Sequence, residues 1–314
     1  MGAGDKEMSK YVWKDWSVYI VSYKSKDPER QPRDLSPLLT LLEDKFELTP
    51  TVCAGYNDLA GKRNMGITQK VWLTHTAALR RHARSPNAGN PCLILEDDVE
   101  FLVDAPSLDT ALRGMLARRP DYKVMALGAL PLGVTFHIGG GLAVSQSPVL
   151  TQSVLYSPDF VKKFVGGGNV VAAPHTGEGW HSLPFKDRLI SSTLLTTQNV
   201  WPRTAKGVQN LYPSFATLHR HLFGFVVYGI PILISLFVAL AIVFAVLVAT
   251  QPTSRKVYIG LLVFCCVTTI VFGAVVVGQT VAVNPHHSPQ WWKDLHEVAE
   301  DEAMLNDFCP ILHR

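Results

Sequence analysis

The sequence predicts a layered α/β domain with a largely parallel sheet, followed by two membrane-spanning helices. Three observations lead there. Short β-branched and aromatic runs alternate with amphipathic helical segments over residues 11–215. Two long runs near the C-terminus hold no Asp, Glu, Lys, Arg or His. The composition, 47% hydrophobic and 18% charged over 314 residues, is more apolar than a single soluble domain requires. The net charge of +3 is small and scattered, which argues against a nucleic-acid groove with its basic stripe.

In chain order, WSVYIVSY is the first strand, PRDLSPLLTLLEDKF a helix with Leu at helical spacing, and LTPTVCAGY the second strand. ITQKVWLTHTAALRRHARS is a helix whose basic C-terminal end suits its dipole. NPCLILEDDVEF opens as a buried strand, DAPSLDTALRGMLARR is a helix and DYKVMALGAL a strand. SPDFVKKFV is a short helix opened by Ser157, Pro158 and Asp159. The glycine-rich pieces GVTFHIGGG and FVGGGNV read as flexible loops able to cover a ligand.

The apolar runs span about 222–250 and 257–283, each longer than the roughly 20 residues a helix needs to cross hydrocarbon. Pro231 falls near the start of the first, where a kink is tolerated. The link QPTSRK allows only a tight turn, so the runs should form a hairpin that returns the chain to its starting side. The domain at 11–215 and the tail at 284–314 then share a compartment. The tail carries Trp291 and Trp292, suited either to the headgroup level or to packing on the domain, then a short acidic helix. The five cysteines form neither an even disulfide framework nor a metal spacing, which points to a reduced compartment. With no apolar stretch of signal-peptide length at the N-terminus, that compartment is expected to be the cytosol.

Glu96, Asp97 and Asp98 follow directly on the apolar strand Cys92–Leu95, at the strand end where open α/β sheets bind ligands. Three adjacent carboxylates repel one another, and a divalent cation removes the conflict. Oxygen donors of this hardness suit Mg²⁺ or Mn²⁺, which keep positions open for phosphate. A solvated turn of acids is the plainer alternative.

VYIVSYKSKDPER, GITQKVWLTHTAAL and LILEDDVEF, in that order, together with DYKVMALGAL and VLTQSVLYSPDFVKKFV, resemble glycosyltransferase family 25, which includes lipooligosaccharide and collagen galactosyltransferases. The resemblance covers roughly residues 17–200. Thr74 stands where the family has Ser, Lys70-Val71 where it has Gly-Cys, and Ser22-Tyr23 where it has Asn-Leu. It implies a GT-A-type, Rossmann-like nucleotide-sugar-binding domain with Mn²⁺ or Mg²⁺. The implied reaction is inverting transfer of a hexose, galactose or glucose, from a UDP-sugar to a hydroxyl on a glycan, lipid-linked or protein acceptor.

On that reading Asp98 is the first metal ligand, and Glu96 reaches the ribose or a metal-bound water. Asp97, on the other face of an extended segment, supports from behind. Thr74 and His75 match the family's Ser-His and belong near the donor. Tyr19, Tyr23 and Arg30 are placed to stack on uracil or pair with phosphate, and Asn57 and Asp58 to contact ribose or form an Asx turn. The base that takes the acceptor proton is sought in Asp187, Glu178, His175 and His181, with Asp187 preferred from its place in PFKDRLI. His175 or His181 is the alternative third metal ligand. For each of these side chains ordinary packing or solvation is the competing account. Two other classes stay open at this point: a metal-dependent phosphoesterase or nucleotidyltransferase, and a non-catalytic membrane-tethered binding protein that keeps the fold.

Overall fold

A computed structural model describes residues 11–23, 34–55, 67–166, 183–199, 210–282, 289–300 and 309. Its centre is a six-stranded sheet built from β1 (Ser17–Tyr23), β2 (Thr51–Gly55), β3 (Cys92–Glu96), β5 (Val124–Gly139), β6 (Leu142–Tyr156) and β7 (Arg188–Ser191). The order is β2-β1-β3-β6-β5-β7, and a separate pair joins β4 (Val99–Phe101) to β8 (Thr196–Gln198). β1 pairs in parallel with β2 and β3, and β5 with β7, while β6 runs antiparallel to β3, β5 and β7. The chain leaves β1 for β2 on one side and returns to β3 on the other. The carboxyl ends of β1 and β3 therefore flank a topological switch point.

Helices cover both faces because each strand of the centre is apolar on both sides. α2 (Ile67–Ala83) and α4 (Pro158–Gly166) lie on one face, where Trp72, Leu73 and Ala78 from α2 and Val161 from α4 meet Ile94, Val154 and Tyr156. α1 (Ser36–Phe46) and α3 (Ala105–Arg118) cover the other, setting Leu42, Phe46, Leu108 and Met115 against Ile20, Leu95 and Leu155. Each such fully buried aliphatic or aromatic side chain contributes about 2 kcal/mol. α3 starts where it does because Asp104 accepts a 2.9 Å hydrogen bond from Ser107 N–H and Pro106 sits in the first turn.

One glycine segment departs from expectation. GVTFHIGGG is not a loose cover but the distal half of β5 and its turn into β6. Gly139 pairs with Leu142, and Gly140 and Gly141 take φ of 63° and 77°, the left-handed pair a two-residue hairpin demands. A Cβ on Gly140 would also meet Arg118 Cβ at 2.5 Å, so α3 docks on the turn only because no side chain is there. The stretch FVGGGNV ends α4 at Gly166, and the rest of it lies outside the described residues.

The C-terminal third contains two helical stretches long and apolar enough to cross a membrane, Phe215–Thr250 and Pro252–Val276. The first comprises α5 (Phe215–Gly224), a π-helical segment Phe225–Gly229 and α6 (Ile230–Thr250); the second is dominated by α7 (Arg255–Ala282). The π segment has a local cause. Pro231 has no N–H and its ring would press on the carbonyl of Val227, and the wider turn removes that clash. α5 belongs to the domain by its packing, with Phe215, Leu218, His219 and Phe223 buried.

α8 (Pro289–Glu300) brings the tail back onto the domain, burying Leu295 and Val298 in the α2-side core. Beyond it Cys309 forms a disulfide with Cys53 of β2. This corrects the expectation of unpaired cysteines and removes the cysteine argument for a reduced compartment. Spacing could not reveal a pair 256 positions apart. The side chains of Trp291 and Trp292 lie outside the described residues.

Candidate functional site

The acids close β3 at the switch point. β3 ends at Glu96, and Asp97 and Asp98 form the turn that leads into β4. Three hydrogen bonds hold that turn. Asp97 N–H donates to Val21 O at 3.0 Å, Ser22 Oγ donates to Asp97 Oδ2 at 2.9 Å, and Asn199 N–H donates to Asp98 O at 2.8 Å. The turn is thus clamped between the end of β1 and the end of β8. All three carboxylate side chains are half-buried.

Val21, Ser22, Val71, Thr74, Glu96 and Asp97 line a cleft here of about 60 Å³, room for roughly two water molecules. It is too small for a nucleotide sugar by itself. The chain segments 24–33 and 56–66, which leave β1 and precede α2, lie outside the described residues. Of the residues expected at a donor site, Thr74, Glu96 and Asp97 come together in this cleft. The expected alternation, with Glu96 and Asp98 on one face and Asp97 behind, does not hold. The strand has already ended, and Asp97 shares the cleft with Glu96 while Asp98 does not line it.

The α2 face of the sheet, largely apolar, holds a buried polar pair. The Tyr156 hydroxyl lies 3.5 Å from His75 Nδ1, and His75 is 1% exposed. Burial first, then the neighbouring Cys92 and Glu96, push the Tyr156 phenol well above its ordinary pKa, so it stays a neutral hydroxyl. His75 is therefore held under the site rather than in it. Thr74 donates its hydroxyl to Lys70 O at 2.8 Å while lining the cleft.

Two expected residues are placed elsewhere. Tyr19 sits in mid-strand, 4% exposed and edge-on to the His82 ring at 6.5 Å, and burial raises its pKa to about 12. It is a core residue and offers no face to a base. Asp187 closes a 3₁₀ turn at Phe185–Asp187 just before β7, with Oδ2 2.6 Å from Lys123 Nζ and Oδ1 3.4 Å from Arg119 Nη2. Since Arg188 is level with Val124, and Val124 and Cys92 are both level with Tyr156, Asp187 lies at the opposite end of the sheet from Glu96. The separation along the strands is roughly 16 Å. Its carboxylate serves two cations and does not reach the cleft.

Tyr23 ends β1 opposite Gly55, with its side chain outside the described residues, as are Arg30, Asn57, Asp58, His175, Glu178 and His181. Among the described residues no group of three or more His, Cys, Asp or Glu is arranged to hold a metal ion. The oxygen donors at hand are Glu96, Asp97 and Asp98. Mg²⁺-type sites commonly use one or two carboxylates and complete their shell with water and phosphate, so this donor set fits the ion's chemistry.

Ser22 is a functional candidate that no sequence motif marks: it lines the cleft and holds Asp97. In the sequence Ser22 stands out only as part of the Ser22-Tyr23 departure from the family pattern. The signal for Ser22 was its place at the carboxyl end of the first strand, the position that meets the end of β3 across a switch point.

Comparison with protein-family models and with curated proteins returns no match for this chain.

Proposed function

We propose that this protein is a membrane-anchored glycosyltransferase with a GT-A-type domain, similar to family 25. It would transfer a hexose from a UDP-sugar to a hydroxyl of a glycan, lipid-linked or protein acceptor. One observation carries the reading: the acids of the Glu96–Asp98 segment stand at the carboxyl ends of β1 and β3, at the switch point of a largely parallel sheet, beside a cleft.

In the reaction the acceptor oxygen bonds to the anomeric carbon as the bond to the diphosphate breaks, and the acceptor proton passes to a base on the opposite face. The negative charge that grows on the diphosphate makes an acidic site unfavourable unless a cation is present. Bound Mg²⁺ or Mn²⁺, held by carboxylates of the Glu96–Asp98 segment, would neutralise that charge. Ser22 keeps Asp97 oriented toward the cleft. Asp187, committed to Lys123 and Arg119, is not the base in this scheme.

The apolar helices supply the anchor. Their most apolar windows are 0% and 6% buried in the protein, so a soluble core-helix role does not account for them. Ile232, Ile242, Val257, Phe264 and Ile270 are each at least 60% exposed, and lipid is the solvent that makes such surfaces favourable.

The experiment is a nucleotide-sugar panel on the detergent-solubilised chain, with and without Mn²⁺, following release of nucleoside diphosphate. The expected result is Mn²⁺-dependent turnover of one UDP-hexose that is lost in Asp97→Ala and Asp98→Ala. Silence across the panel would favour the non-catalytic binding protein; cleavage of simple phosphodiesters instead would favour the phosphoesterase.

A further inference from the structure

The far half of the β5–β6 hairpin folds over the β7 edge, and its outer surface is unusually apolar for an exposed strand. Phe136 is 56% exposed and Val134 37%, and Phe136 meets the exposed ring of Phe185 edge-on at 6.1 Å. Around these rings stand Arg118, Arg119, Lys123 and Lys186. Arg118 Nε donates to Ile138 O, Arg119 donates to Lys186 O at 3.1 Å, and Lys123 reaches Asp187 beside Phe185. The carboxylates among them are Asp121 and Asp187, both paired to this cluster. Four cations against two carboxylates leave the surface positive.

The same strand touches the point where the chain enters its apolar helices. His137 stacks on Tyr228 of the π segment with centroids 5.1 Å apart, the Tyr228 hydroxyl donates to Ser192 O at 2.8 Å, and α7 packs along β5. Tyr228 lies two residues before α6 begins at Ile230. The backbone of Phe136 is one residue, about 3.8 Å, from that of His137. Exposed aromatic rings flanked by Lys and Arg, level with the end of an apolar helix, have the chemistry of the headgroup layer, which takes rings among its glycerols and cations against its phosphates.

We propose that this surface, Phe136 and Phe185 with Arg118 and Lys186, rests on the phospholipid headgroups of the bilayer that α6 and α7 span. The inference depends on the spanning reading above, and it adds a second, peripheral contact that fixes the tilt of the domain over the membrane.

The test uses the full chain in phosphatidylcholine nanodiscs that carry a nitroxide either on the headgroup or deep in the acyl chain. In a Cys266→Ser background, an NBD fluorophore is attached in turn at Phe136→Cys, at Ile242→Cys in the middle of α6, and at Lys45→Cys on α1, at the opposite edge of the sheet. The expected pattern is loss of most emission at 136 with the headgroup nitroxide, loss at 242 with the acyl nitroxide, and no loss at 45 with either. Equal, weak quenching at 136 and 45 with strong quenching at 242 would overturn the docking surface and leave the anchor standing. Weak quenching at 242 would overturn the spanning reading, and the proposal with it. Arg118→Glu with Lys186→Glu should lower quenching at 136 and leave 242 unchanged; unchanged quenching at 136 would overturn the role given to the cations.

Discussion

Ser22 Oγ donates to Asp97 Oδ2 at 2.9 Å, joining the ends of two parallel strands across 75 positions of sequence. The bond turns an acidic tripeptide from a repelling cluster into an oriented one. It also makes the cleft a product of strand pairing, because Val21 and Glu96 are register partners.

Ser22→Ala removes the donor and leaves a half-buried carboxylate to find water. A hydrogen bond to a charged group contributes about 1.5–3 kcal/mol, discounted here by partial exposure to about 1 kcal/mol. Denaturant midpoints should show that modest loss, whereas the affinity for UDP with Mn²⁺, measured by calorimetry, should fall well beyond it.

Asp187→Asn tests the assignment of that residue to the fold. Its carboxylate is 4% exposed and holds Lys123 and Arg119, and removing one partner of a buried pair costs about 3–5 kcal/mol. Lys123 is 44% exposed, which brings the expected cost to about 2–3 kcal/mol. The thermal midpoint should drop, while turnover per folded molecule stays within about twofold of the parent. An essential base would lose orders of magnitude.

Cys309→Ser opens the loop closed onto Cys53. Loop-closure entropy for so long a span sets the loss at up to about 5 kcal/mol. Reduction with dithiothreitol should lower the midpoint of the parent protein by a similar amount and leave the variant unchanged. Equal midpoints in all four samples would show that the tail is held by α8 alone.

His82 carries a pH signature. It is fully buried, with Nε2 3.0 Å from Asn90 O, and burial lowers its pKa below the ordinary value. The unfolded chain therefore binds the proton more readily, so this stability is present above about pH 6.5 and is lost as pH falls below it. Urea titrations between pH 8 and about pH 5 should show a declining midpoint. His82→Gln should make the decline shallower.

Gly128→Ala should be among the most damaging small changes. A Cβ there would stand 2.1 Å from Thr196 O and 2.7 Å from Gln152 Nε2, where β5 passes under β8. The strain, of order 1–3 kcal/mol, would push β8 away from the acidic turn that Asn199 clamps. Loss of stability accompanied by loss of Mn²⁺-dependent UDP binding is the expected result.

Periodicity and end signals in the sequence reveal β1, β2, β3, the start of β5, the helices α1 to α4, the two long apolar runs and the acids at the end of β3, but not β6, β7 or β8. These depend on interactions within a few residues: the continuous apolar run CLIL of a strand buried on both faces, helical spacing in ITQKVWLTHTAALRRHA, Pro and Asp at helix starts. Tertiary structure alone decided the rest. It ended β3 at Glu96 and so turned Asp97, not Asp98, into the cleft; it sent Asp187 to the far end of the sheet to serve Lys123; it buried Tyr19; and it joined Cys53 to Cys309. Each of those outcomes is a pairing between residues distant in the chain, and side-chain partners at such distances are set by packing of the whole fold, which no local pattern encodes.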